Sequence, residues 1–148
     1  MIAVVERVSR ADVTVEGKTV GSIKEGLLVL LGVQRGDGQS DLDYIVGKTT
    51  GLRIFPEDGK MRKSVVDVGG QILLVSQFTL LGDVRKGRRP DFAAAADAHT
   101  AKQMYEQCAA AFADMEIHTQ TGEFGAYMQV DSTGDGPVTI LLDSKKRF

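Results

Sequence analysis

The chain has few of the residues that build disulfides and metal centres. Among its 148 residues there is one cysteine, Cys108, and there are two histidines, His99 and His118. A single cysteine cannot form an internal disulfide, and two isolated histidines give no recognisable zinc-ligand spacing. We therefore expect no structural disulfide, no metal site and no cofactor, and a reducing cytoplasmic compartment suits such a chain.

Long apolar segments and a large excess of one charge are also missing. No apolar run approaches the ~18 residues of a membrane span, and charges appear at Glu6 and Arg7, before a signal-peptide core could develop. The formal net charge is −2, so the molecule as a whole does not attract nucleic acid or an anionic membrane. We expect a cytoplasmic protein without membrane contact, in which only a local basic patch could bind nucleic acid.

The apolar content is sufficient for one core. Hydrophobic residues make up 43% of the 148 residues, which predicts a single domain spanning 1–148. Apolar runs at 26–33 and 71–80 predict two strands that are buried on both faces. Further strands are predicted from β-branched and alternating segments at 2–8, 13–23 (a hairpin), 53–55, 116–119, 127–131 and 138–142.

Two segments have the apolar spacing of helices. Ser40 can cap a helix whose apolar residues include Leu42 and Ile45, and a longer helix is predicted to begin near Asp97. The apolar stripe of the longer helix runs at steps of three and four through Cys108. We therefore interpret Cys108 as a small core residue and not as a nucleophile.

Polar side chains occupy the second half of the buried segment 71–80. These are Ser76, Gln77 and Thr79, with Phe78 between them. Two interpretations remain open: the side chains bond to neighbouring backbone, or they form the floor of a pocket. Such a floor, with exposed backbone N–H donors, would suit a carbonyl whose oxygen becomes negative during a reaction.

A basic loop follows this polar segment directly. It spans 82–90 and carries four cationic side chains, Arg85, Lys86, Arg88 and Arg89. Basic loops are often merely solvated, but the position of this one favours contacts with the phosphates of a nucleic acid whose end reaches the polar segment. Near the C-terminus, Gly136-Pro137 heads an apolar strand, a position where proline is tolerated.

Taken together, these motifs resemble one family along nearly the whole chain and in the same order. They are ERVSRADVTVEG (6–17), GLLVLLGV (26–33), LRIF (52–55), VSQFTL (75–80), KGRRP (86–90) and DGPVT (135–139). They are similar to the D-aminoacyl-tRNA deacylases, first called D-tyrosyl-tRNA deacylases. This resemblance implies an α/β fold: a β-rich, mixed-sheet layered sandwich with two main helices, which forms a homodimer.

The resemblance also implies a site and a reaction. The pocket would be formed by Ser76, Gln77, Phe78 and Thr79 of one subunit and covered by Gly136 and Pro137 of the other, with the Gly-Pro bond cis. The substrate would be tRNA charged with a D-amino acid or glycine, whose ester is hydrolysed while L-aminoacyl-tRNA is rejected. The 2′-OH of the terminal adenosine would assist, and no cofactor is implied. Thr79 was earlier considered as the nucleophile in this family; we expect instead that its backbone N–H helps to stabilise the oxyanion.

Two other functions are also considered, and three positions differ from the family pattern. The chain could be a non-catalytic RNA-binding module that uses the basic loop and Phe78, or a small esterase that acts through Thr79. Gly134 and Arg62 stand where the family commonly has Asn, and Asp91 stands where Ser is usual.

Overall fold

The computed structural model describes all 148 residues. It contains eight strands, two α-helices and one short 3₁₀ helix: β1 (Ile2–Val15), β2 (Lys18–Ile23), β3 (Gly26–Gly32), α1 (Gln39–Gly51), β4 (Phe55–Glu57), β5 (Lys60–Lys63), β6 (Gln71–Ser76), the 3₁₀ helix (Phe78–Leu81), α2 (Ala98–Asp114), β7 (Thr119–Thr121) and β8 (Gln129–Asp143). Neither α-helix combines the length and the apolar character needed to span a membrane.

Six of the strands form one mixed sheet. Its order is β2-β1-β3-β6-β7, and β8 pairs with β1. The pairs that involve β1 are antiparallel, whereas β3–β6 and β6–β7 are parallel. β2 curls over towards β7, since a Cβ on Gly21 would collide with the carbonyl oxygen of Thr121, and the sheet is nearly a barrel. This architecture confirms the predicted sheet-rich α/β class with two helices.

The two apolar strands β3 and β6 are buried on both faces, as predicted. Alternate side chains of β3 point to opposite faces, so Leu27 and Val29 join a cluster of 21 buried residues beneath the helices. Leu28 instead joins a second cluster of seven on the other face, with Leu73 and Val75 of β6. β6 therefore runs through the centre of the molecule and emerges at Ser76.

One helix begins where the sequence predicts, and the other begins slightly earlier. α2 begins as predicted, because the carboxylate of Asp97 accepts a hydrogen bond from the backbone N–H of Thr100 at 2.9 Å. The N-cap of α1 is Gly38, not Ser40. The carboxylate of Asp41 accepts from the N–H of Gly38 at 2.9 Å, which satisfies that end of the helix without a serine cap.

The predicted strand at 71–80 was wrong in its second half. β6 ends at Ser76, and Phe78 and Thr79 lie in the 3₁₀ helix. The partner strand β3 ends at Gly32, and the last link between the two strands is the bond from Gln77 N–H to the Leu31 carbonyl at 2.8 Å. Without a partner the chain turns, and this turn buries Leu81.

Other strand boundaries also differ. The strand predicted at 53–55 instead spans Phe55–Glu57 and runs through Pro56. The segments 2–8 and 13–15 are one continuous strand, β1, and the strand predicted at 116–119 begins only at Thr119. The strands predicted at 127–131 and 138–142 are one strand, β8, which begins two residues late at Gln129 and continues past Gly136 and Pro137. The antiparallel partner β1 extends along nearly its whole length, which explains why the strand resumes after the interruption.

Candidate active site

A cavity of about 710 Å³ opens where β6 ends. Ser76, Gln77, Phe78 and Thr79 all line it, so the four residues of the predicted pocket share one cavity. The remaining walls come from Val33 and Val75, from residues before and within the first turn of α2 (95–101), and from the loop before β8 together with the start of that strand (124–130). Twelve of the 16 lining residues are hydrophobic, and polar groups are therefore concentrated at the β6 end.

The floor of the cavity includes Phe78 and Thr79, the first two residues of the 3₁₀ helix. Gln77 N–H donates to Leu31 and Leu80 N–H donates to Gln77, but at the start of the helix neither Phe78 N–H nor Thr79 N–H has a carbonyl acceptor within the helix. The first residues of a helical turn leave their N–H groups free in this way. Free donors beside an apolar cavity can bind an oxygen that carries negative charge.

The side chains of the floor are arranged around these amides. Gln77 Nε2 donates a hydrogen bond to Thr79 Oγ1. The ring of Phe78 is 55% exposed and meets Phe92 edge to face, with 5.0 Å between the ring centroids. Phe92 was not anticipated from the sequence; its only signal was an aromatic residue directly after the basic loop.

The lining of the cavity has almost no ionisable side chains that could transfer protons. Its single ionisable side chain is the phenol of Tyr127, which is 90% exposed at the rim. Neither His99 nor His118 lines it. Cys108 lies in the large core, as predicted, and burial raises the pKa of its thiol to about 12. No cluster of three or more His, Cys, Asp or Glu side chains suited to a metal ion occurs in the structure.

Tyr105 connects helix α2 to the strand that leads into the floor. Its hydroxyl donates to the carbonyl oxygen of Leu74 on β6 at 2.9 Å. Burial raises the pKa of this phenol to about 12, so the hydroxyl remains a donor at every physiological pH. The sequence indicated Tyr105 only as part of an apolar stripe, and its bond positions one wall of the cavity against β6.

Gly136 and Pro137 lie outside the cavity of their own chain. Both are exposed, and the bond between them is cis. In the β1–β8 ladder, Glu6 pairs with Thr139 and Val8 pairs with Gly134. The four residues 135–138 therefore oppose the single residue Arg7, and the Gly-Pro pair bulges out of the sheet.

Arg7 holds this bulge in place. The side chain is only 8% exposed, and its Nε donates to the carbonyl oxygen of Asp135 at 3.0 Å while lying 3.1 Å from the carboxylate of the same residue. Nη1 donates to the carbonyl oxygen of Ile54 at 2.5 Å. A Cβ on Gly136 would lie 2.9 Å from Nη2, and φ at this residue is +129°. Only glycine fits beside Arg7.

The basic loop lies next to the floor. Asp83 and Asp91 close its base through two backbone hydrogen bonds of 2.8 and 2.9 Å. Arg85 is paired with Asp83 at 2.5 Å, and hydrogen bonds from Arg85 lower the pKa of Asp83 to about 2. Arg85 is therefore partly neutralised, whereas the exposed side chains of Lys86, Arg88 and Arg89 form no ion pair.

Known proteins match this chain over nearly its whole length. The model of the family described as D-Tyr-tRNA(Tyr) deacylase matches residues 4–143. Proteins named D-aminoacyl-tRNA deacylase from Desulfitobacterium hafniense (strain DSM 10664 / DCB-2) and Koribacter versatilis (strain Ellin345) are 55% and 56% identical to this chain, and the match covers all of both chains in each case.

Solved structures agree in fold. One described as a c-Myc DNA Unwinding Element Binding Protein is 44% identical, with a TM-score of 0.91 over 97% of this chain and 98% of that one. A probable eukaryotic D-amino acid tRNA deacylase has a TM-score of 0.80 over 95% of this chain and 97% of its own, at 17% identity, which indicates a shared fold alone. The family resemblance inferred from the sequence motifs is thus confirmed, and the chain belongs to the D-Tyr-tRNA(Tyr) deacylase family of hydrolytic enzymes.

Proposed function

We propose that residues 1–148 act as one catalytic domain that hydrolyses the ester of D-aminoacyl-tRNA, or of tRNA charged with glycine, in the cytoplasm. The products are the free amino acid and tRNA. The observation that carries this proposal is the apolar cavity whose floor presents the free amides of Phe78 and Thr79, in a chain whose full-length relatives are named for this activity.

The proposed chemistry relies on the backbone. Water attacks the ester carbonyl carbon, the new C–O bond places negative charge on the carbonyl oxygen, and the Phe78 and Thr79 amides stabilise that charge. The carbonyl then re-forms as the bond to the ribose oxygen breaks, and that oxygen takes up the proton that the attacking water has released. Removing one such amide donor typically slows a reaction by about 10²–10³-fold. Because the lining holds no carboxylate or imidazole, we assign proton transfer to the 2′-OH of the terminal adenosine.

Selection against L-amino acids is assigned to a second copy of the chain. In the proposed homodimer, the exposed Gly136-Pro137 bulge enters the cavity of the partner and faces the ammonium group of the substrate. An L side chain would collide with this wall, whereas a D side chain or the hydrogen of glycine would not. Support comes from the exposure of the bulge, from its anchoring by Arg7, and from β8, an edge strand with exposed Val130 and Leu141.

The basic loop is assigned to the tRNA. Lys86, Arg88 and Arg89 are free to contact phosphates of an RNA end that enters the cavity, while Arg85 contributes less because it is paired with Asp83. Phosphate contacts of this kind position an RNA without reading its sequence.

Two alternative functions were considered: a non-catalytic RNA-binding module and an esterase that acts through Thr79. For the non-catalytic RNA-binding module, the support is limited to nucleic-acid binding itself, since a solved structure 44% identical to this chain is described as a c-Myc DNA Unwinding Element Binding Protein. A threonine-dependent esterase is disfavoured, because no side-chain base lies beside Thr79 and its hydroxyl already accepts a bond from Gln77.

One assay separates these functions. Matched D- and L-aminoacyl-tRNA are incubated with the protein, and a third substrate has a terminal 2′-deoxyadenosine. We expect rapid release of the D-amino acid, no release of the L-amino acid, and little turnover of the 2′-deoxy substrate. Binding without turnover would favour the nucleic-acid-binding alternative, and full turnover of the 2′-deoxy substrate would refute only the assistance by RNA.

A further inference from the structure

A second basic surface lies on the β4–β5 hairpin, far along the chain from the loop at 82–90. β5 carries Lys60, Arg62 and Lys63. Lys63 is paired with Glu57 across the hairpin at 3.1 Å, whereas Lys60 and Arg62 are exposed and form no ion pair. The nearest unpaired acid along the chain is Asp58 at the tip. Two free positive charges thus stand on a hairpin of a molecule whose net charge is −2.

Arg62 occupies a special position in this hairpin. Pro56 pairs with Met61 and Phe55 pairs with Lys63, so Arg62 has no cross-strand partner. Such a bulge re-aims the side chain of the extra residue, and bulges are frequent beside active sites.

The root of the hairpin is joined to the Gly136-Pro137 bulge. The same guanidinium of Arg7 that binds Asp135 also binds the carbonyl of Ile54, the residue directly before β4. Ile54 is adjacent in the chain to Phe55, Phe55 pairs across the hairpin with Lys63, and Lys63 is adjacent in the chain to Arg62. The Cα of Arg62 is therefore within about 13 Å of the Cα of Ile54.

We propose that Lys60 and Arg62 bind phosphates of the tRNA 3′ end that occupies the cavity of the partner subunit. This inference rests on the proposed function, in which the ester lies against the Gly136-Pro137 wall donated by the partner. Because the hairpin is tied to that wall, it stands beside the RNA as it leaves the cavity. The RNA end is then held between the loop at 82–90 of one subunit and the hairpin of the other.

The first test removes the two charges with Lys60→Gln/Arg62→Gln. We expect the KM for D-aminoacyl-tRNA to rise roughly fivefold and the slope of log affinity against log salt to fall by about 1.5, as for two lost phosphate contacts. Lys24→Glu is the matched control, because it changes net charge by the same amount at the Gln71 end of β6, away from the cavity. The charge-conserving Lys60→Arg/Arg62→Lys should behave as wild type.

A short substrate shows whether the effect depends on phosphates. The 3′-O-D-tyrosyl ester of adenosine has none, so the Lys60→Gln/Arg62→Gln protein should hydrolyse it at the wild-type rate. If wild type hydrolyses neither substrate, the proposed function fails. If wild type hydrolyses both but the double variant matches Lys24→Glu on tRNA, only the role of the hairpin is overturned.

Mixed dimers test which subunit supplies the hairpin. In each dimer, one subunit has its cavity closed by Ala96→Trp. Two dimers are compared: one carries Lys60→Gln/Arg62→Gln in the cavity-closed subunit, and the other carries it in the cavity-open subunit. The KM for tRNA should rise when the charges are missing from the cavity-closed subunit, since that subunit supplies the wall and hairpin for the open cavity. A rise only when they are missing from the cavity-open subunit would overturn the proposal.

Discussion

Arg7 and Asp135 are joined through both backbone and side chain of the aspartate: Nε lies 3.0 Å from the carbonyl oxygen and 3.1 Å from a carboxylate oxygen. The other end of the guanidinium binds the carbonyl of Ile54 at 2.5 Å. One nearly buried side chain therefore fixes the residue before Gly136 relative to the rest of the fold. The flat, forked guanidinium can do this, whereas an ammonium group cannot span the same acceptors.

We expect Arg7→Lys to weaken discrimination between D- and L-aminoacyl-tRNA by roughly tenfold or more, because at least one charge-assisted bond of about 1.5–3 kcal/mol is lost. The ratio of the two deacylation rates measures the effect, and circular dichroism checks the fold. Arg10→Lys, at an exposed ion pair with Asp12, should leave the ratio unchanged. An unchanged ratio in Arg7→Lys would show that the bulge does not depend on this anchor.

Gly136→Ala should lower thermal stability and deacylation together. A Cβ there would lie 2.9 Å from Arg7 Nη2, and φ is +129°; a strained backbone residue typically costs about 1–3 kcal/mol. Gly36→Ala is a matched control, since φ is +84° but no atom lies within 4 Å of the added Cβ. Activity should fall only in Gly136→Ala, and equal activity loss in both variants would refute the role of the clash.

Thr79→Val is expected to retain deacylation within about tenfold of wild type. The change removes the hydroxyl that accepts from Gln77 but keeps the backbone N–H, the group to which we assign the oxyanion role. The deacylation rates of the variant and of wild type are compared by steady-state kinetics on D-aminoacyl-tRNA. A folded variant that still binds tRNA but has lost a thousandfold or more in turnover would instead make the hydroxyl essential.

Acid should destabilise the protein partly through Asp143. Hydrogen bonds from Arg147 hold the pKa of this carboxyl well below its usual value of 3.8. A lowered folded-state pKa stabilises the fold above the unfolded-state pKa, and this stabilisation is lost as pH falls below about 4. In urea titrations, Asp143→Asn should therefore be less stable than wild type at pH 7, and the difference should shrink steadily as pH falls from 4 to 2. A constant difference across this range would contradict the linkage.

The sequence predicted the composition of the candidate site better than its conformation. Ser76 to Thr79 were recognised as a polar end to a buried strand, but the turn at Phe78 depends on β3 ending at Gly32, a residue distant in sequence. Arg7 was missed because nothing local distinguishes a nearly buried arginine from an exposed one in a strand. Its acceptors, Asp135 and Ile54, are 128 and 47 residues away, and only the tertiary fold brings them together.

The floor made of main-chain amides also determines which inhibitors the cavity can bind. Reagents that alkylate thiols or phosphorylate activated serines have no target there, since the lining contains no cysteine, and no base lies beside the hydroxyls. With the oxyanion role proposed for the Phe78 and Thr79 amides, we expect affinity from reversible ligands that pair an anionic oxygen with these amides and stack a flat ring on Phe78. Resistance would then be hard to gain by substitution at these two positions, because every amino acid except proline supplies the same N–H.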